Sequence, residues 1–239
     1  MSVTGYLHNL PPEGGDAEGF KSLATVMALP LVDGVFASLV LAGALSSAAG
    51  VFETGVLVFG GTATASIILS EIDAPVSRTV VNVTAIALVL AGVAAVEAMA
   101  APTLRTALDV AAFKYFAAAV LALIAFRIPS RRARQYTPHP TYVLAAGIVV
   151  TLQPEGFRLI ATPDVLLALK AASAVMVGAV LSVSIAALKP VLGDSINERA
   201  VQAGGAIALI VLAFSVVGLT PSSTAIIGPL GAGVIGLLR

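Results

Sequence analysis

The chain has 239 residues, 58% of them apolar and 11% charged. Soluble domains carry about 25% charge, so there is too little polar side chain here to coat a water-soluble globule. Lys and Arg balance Asp and Glu at 13 each, which removes the basic footprint of a nucleic-acid partner, and the lack of cysteine excludes disulfides and thiol chemistry.

These numbers, with a mean hydropathy of +1.01, define an all-helical polytopic membrane protein. Residues 1–20 hold no Lys or Arg and include P-P-E-G-G-D-A-E-G. That lacks the basic start of a signal peptide and reads as a flexible tail. The first apolar run, Ser22 to Leu45, is 24 residues long, enough to cross a bilayer core, which needs about 20 helical residues. Pro30, Asp33 and Gly34 interrupt its middle. Proline removes a helix hydrogen bond, glycine permits unusual backbone angles, and a carboxylate at mid-depth needs a cavity, a partner or a proton.

A second segment, about Glu53 to Leu69, is dense in small residues (G-G-T-A-T-A-S), which let helix backbones approach closely in lipid. A polar loop with Glu71, Asp73, Pro75 and Arg78 follows. The third segment is about Thr79 to Ala100, with Asn82 near its start and Glu97, read as a solvated helix end, near its finish. The fourth is about Leu108 to Ile128, with Asp109 and Lys114 in its first third. Arg131, Arg132 and Arg134 then form the most basic stretch, read as a topology signal and a contact for anionic lipid.

The fifth segment, about Tyr142 to Ala161, contains Pro154-Glu155-Gly156. It is either a full broken span or a shorter helix to Gln153 followed by a re-entrant loop. The sixth is about Val165 to Leu188 with Lys170 in its first third, the seventh about Ala200 to Leu219, and the eighth Ser222 to Leu238. Eight spans with a cytoplasmic N-terminus put Lys21, Arg78, Arg127, Arg131, Arg132, Arg134, Lys189, Arg199 and Arg239 inside, and only Arg105 and Arg158 outside. That bias favours both termini inside a cell membrane. Six or seven spans is the rival.

Asp33-Gly34 and Glu155-Gly156 lie 122 residues apart, and R-x-V…A-I-A-L recurs at Arg78 and Arg199, 121 apart. Two matches at nearly one offset suggest duplicated halves, 21–128 and 141–239, joined by a basic cytoplasmic linker, 129–140. Four spans per half would make the repeat parallel; an odd number would invert it.

Asp33 and Glu155 lead the candidate ion-binding residues. Two carboxylates at a repeat interface can bind a cation or exchange it for protons. The structural alternative pairs each acid: Glu155 and Lys170 fall at similar depth in the drawn hairpin. Thr62 and Asn82 are candidates to line a polar path, although such groups more often bond to the preceding helical turn. No phosphate loop, zinc-helix motif or serine nucleophile motif occurs, so neither enzyme activity nor a cofactor is expected, and no metal is assigned.

From L-P-L-V-D-G-V-F-A-S-L-V-L-A-G through V-L-V-F-G-G-T-A-T to the terminal apolar pair, the chain resembles an uncharacterised family of haloarchaeal multi-pass membrane proteins. That resemblance implies an archaeal cell membrane and no assigned activity. More distantly, an acid followed by glycine in each half is similar to the two-repeat cation exchangers of the Golgi calcium/manganese type and to TerC-like proteins. Those carry a glutamate-x-glycine-aspartate signature in both halves, of which Asp33-Gly34 and Glu155-Gly156 remain here. The expected function is therefore a small transporter or permease for a cation, proton-coupled in one version, working by alternating access around Asp33 and Glu155. The alternative is a non-transporting scaffold or sensor. The expected partners are the lipid bilayer, a small cation and a second copy of the chain.

Overall fold

The structure is a computed structural model and describes residues 15–70, 75–128, 136–192 and 198–219. Among the described residues the regular structure is helical, as composition requires. The helices are α1 (Gly15–Val32), α2 (Val35–Ala42), α3 (Ala48–Thr54), α4 (Thr62–Ser70), α5 (Val76–Thr106), α6 (Val110–Arg127), α7 (Pro140–Thr151), α8 (Val165–Leu192) and α9 (Glu198–Val217). A π turn, Gly55–Phe59, continues α3, and short 3-10 turns cover Ala44–Ser46 and Pro154–Gly156.

Among the described residues, three helices are long and apolar enough to cross a membrane: α5, α6 and α8. The bent pair α1–α2 makes a fourth if it counts as one span. The helices Ala48–Phe59, Pro140–Thr151 and Gln202–Val217 are apolar but shorter. Three or four such spans among the described residues fall short of the eight expected, and the last expected segment, Ser222 to Leu238, lies outside the described residues.

The most extensive helix interface joins α5 to α8. Along α5 the buried positions include Ala87, Ala91, Ala94, Ala98 and Ala101, with Thr79, Val83, Ile86 and Leu90 buried in its first half. Along α8 they include Ala168, Ala171, Ala174, Ala179 and Ala186, beside Leu167, Val175 and Ser182. Outside, α5 exposes Val81, Leu88, Val89 and Val96, and α8 exposes Leu166, Leu169, Val180 and Leu188. Close helix contact favours the alanines of this interface, while large side chains, among them Phe36, Phe59 and Phe113, fill the interior elsewhere. At Gly178, α8 also comes close to the π turn. A Cβ there would stand 2.5 Å from the Phe59 Cβ and 2.8 Å from the Gly55 carbonyl oxygen.

The fifth segment stops earlier than a full span. Pro140 starts α7 at a position where a missing N–H costs nothing. The helix ends at Thr151: Leu152 turns extended at ψ 126°, the Asp109 N–H donates to the Thr151 carbonyl at 2.8 Å and the Gln153 N–H to the Ala107 carbonyl at 2.7 Å, and Pro154 keeps Gln153 out of helical geometry too. Residues 152–164 run exposed along the end of α5. The Thr106 hydroxyl accepts from the Arg158 N–H at 2.9 Å, and the Thr103 hydroxyl accepts from the Ile160 N–H at 3.2 Å. Asp109, expected inside the fourth span, instead caps the start of α6 and accepts from the Ala112 N–H at 3.1 Å.

Candidate functional site

The interruption expected in the first span is present. Pro30 has no N–H to give to Val26, and Gly34 adopts φ +74°, so α1 ends and α2 restarts at a bend of 40°. The far end of α2 is held by Arg105, which donates from Nε to the Leu41 carbonyl at 3.2 Å and from its Nη2 to the Val40 carbonyl. A cation there meets the negative end of the helix and adds a charged donor to carbonyls of its last turn, of which Val40 also accepts from the Gly43 N–H at 3.1 Å. Asp164, whose carboxylate accepts from the Leu167 N–H at 2.9 Å at the start of α8, acts electrostatically on the same guanidinium.

Beneath the bend lies a partly open cavity of about 150 Å³. Val26, Pro30, Asp33, Leu57, Thr64 and Leu121 are among its lining residues. Asp33 is half-buried and is the acidic residue of the lining. The Thr64 hydroxyl donates to the Phe59 carbonyl at 3.0 Å, five residues back, where the π turn has displaced the usual partner. Phe36 and Phe59 meet edge to face at 5.2 Å and join α2 to the π turn.

The two leading acids are not brought together. Glu155 is exposed on the 3-10 turn Pro154–Gly156, away from the cavity lining, because α7 has ended at Thr151. Asp33-Gly34 and Glu155-Gly156 therefore differ in conformation, since only Gly34 has a positive φ. Lys170 does not bond to Glu155; its Nζ donates to the Ser46 carbonyl at 3.0 Å. Asn82 is half-buried on α5, outside the cavity lining. Thr62 opens α4, but its side chain lies outside the described residues, as do Arg131, Arg132 and Arg134.

Two acids gained a role that sequence reasoning missed. Glu97, expected as a solvated helix end, is half-buried with Oε2 lacking a hydrogen-bond partner among the described residues. Glu53, taken only as the start of an apolar segment, is buried. Its signal was present as Glu53-Thr54-Gly55, an acid just before a glycine in an apolar run, the pattern that drew attention to Asp33.

Several helices long and apolar enough to cross a membrane, packed with a bent, acid-bearing pair, define a polytopic helical membrane protein. More particularly, residues 88–217 match the model of a family of unknown function, DUF5794, and the chain belongs to that family. The match runs from α5 into α9 and so crosses the basic linker. No curated protein and no solved structure matches the chain.

Proposed function

We propose that this protein is a small transporter of permease type for a cation with an apolar body, bound beneath the bent first span with Asp33 as its charge partner. The observation that carries the reading is one carboxylate set in an otherwise apolar cavity at a left-handed break. A hard metal ion needs about six to eight oxygen ligands. The lining offers the Asp33 carboxylate and the Thr64 hydroxyl, and the described residues contain no group of three metal-ligating side chains. A cavity of about 150 Å³ holds a benzene-sized body. On this reading the halves 21–128 and 141–239 rock about the site in an archaeal cell membrane, with both termini and the basic linker cytoplasmic; the distribution of Lys and Arg supports that orientation. Protons exchange for the cargo at Asp33.

The test is uptake of benzyltrimethylammonium, a permanently charged cation, by proteoliposomes of the full chain. The wild type accumulates it and Asp33→Asn does not, while Glu155→Gln, remote from the cavity, leaves uptake unchanged. Uptake of sodium or manganese in its place would overturn the organic cargo. No uptake of any of these cations by the wild type would favour the scaffold or sensor reading.

A further inference from the structure

The end of α3 holds a second polar site, separate from Asp33. There the helix widens into the π turn, and the Gly60 N–H reaches back five residues to the Gly55 carbonyl at 3.0 Å. Single π turns recur at functional positions in helices. Glu53 and Thr54 stand immediately before it, 6% and 0% exposed. The Glu53 Oε1 and Thr54 Oγ1 atoms are both buried with no hydrogen-bond partner among the described residues. Buried helix hydroxyls elsewhere in the molecule do find one: Thr151 and Ser182 each donate to the carbonyl four residues back, at 2.8 Å.

Among the described residues neither the Glu53 Oε1 nor the Thr54 Oγ1 is bonded to a cation. Helix α3 packs chiefly against the 3-10 turn Ala44–Ser46, the π turn and α8. The two turns contain no titratable residue. Helix α8 carries Lys170 and, at its far end, Lys189. The Lys170 ammonium is turned to the Ser46 carbonyl. An ionised carboxylate enclosed without a donor or a cation is far costlier than the neutral acid. One carboxylate and one hydroxyl are also too few oxygens for a dehydrated metal ion.

We propose that Glu53 and Thr54 form an interior proton-binding site, in which the Glu53 carboxyl carries a proton at neutral pH and the Thr54 hydroxyl is its neighbouring polar group. The proton is taken from hydronium, leaving water, and is returned by the reverse step, so charge and atoms balance. This site stands independently of the cargo bound beneath the first bend.

The experiment is infrared difference spectroscopy of the full chain in lipid vesicles, wild type against Glu53→Gln at neutral pH. The expected result is a protonated-carboxyl carbonyl stretch that is present in the wild type, shifts in heavy water and is absent from the variant. It keeps its intensity when potassium replaces sodium. Thr54→Val shifts that band, and Thr54→Ser restores it. Where Glu53→Gln does not fold, Glu53→Asp moves the band instead of deleting it. Carboxylate stretches alone at Glu53 would overturn the proposal, as would a band lost on adding sodium, which would mark a metal-cation site. A band indifferent to Thr54→Val would remove Thr54 from the site.

Discussion

Gly34→Ala tests the bend directly, and Gly43→Ala is its internal control. Both glycines have left-handed backbones, φ +74° and +85°. An added Cβ meets nothing within 4 Å at Gly43, but stands 2.9 Å from the Leu144 Cδ2 at Gly34. The left-handed conformation costs an L-residue roughly 1–2 kcal/mol, partly offset by about 0.4–1 kcal/mol from a stiffer unfolded chain. Gly43→Ala should therefore destabilise by about 1 kcal/mol. Leu144 is only 7% exposed, so it must leave its rotamer well to make room, adding about 0.5–1.5 kcal/mol at Gly34. In a Leu144→Ala background that addition disappears, giving a coupling of about 0.5–1.5 kcal/mol in a double-mutant cycle. Unfolding in mixed micelles, followed by circular dichroism, reads all four differences. Equal costs at Gly34 and Gly43, or a zero coupling to Leu144, would refute the packing of α7 against the bend.

Arg105→Ala should destabilise by about 2–4 kcal/mol, because the Val40 and Leu41 carbonyls lose a charged donor at a buried helix end. Arg105→Lys, with no fork, should recover only part of this in the same unfolding assay. Gly178→Ala should cost about 1–3 kcal/mol or more, since the new methyl meets the Gly55 carbonyl as well as Phe59. The π turn should then lose amide protection in hydrogen exchange, and unchanged protection would argue against the contact. Thr106→Val removes the acceptor for the Arg158 N–H, so trypsin should cut after Arg158 faster than in the wild type. An unchanged rate would mean that the strap is held by other contacts.

The bend was legible in the sequence because its causes are local. Pro30 lacks a donor, Gly34 tolerates the left-handed region, and both act within one turn of the chain. The end of α7 was legible as one of two alternatives, decided by the extended turn at Leu152 and the hydrogen bonds that tie Thr151 and Gln153 to Asp109 and Ala107. Glu155 and Lys170 were harder, because depth along two helices says nothing about direction around them. Lys170 found the Ser46 carbonyl, from a part of the chain far away in sequence. Glu97 was misjudged for a related reason: its position near a segment end suggested solvent, yet it is half-buried, and the burial of Glu53 had no counterpart in the sequence reading.

Composition alone settled that this chain belongs in lipid and is helical, since an apolar solvent leaves backbone groups no partners but their own. It also marked where the first span must break. Which acids are enclosed was decided only when α8 packed against α3 and α5. Enclosure depends on what a neighbouring helix covers, and a linear pattern of apolar residues carries no record of that.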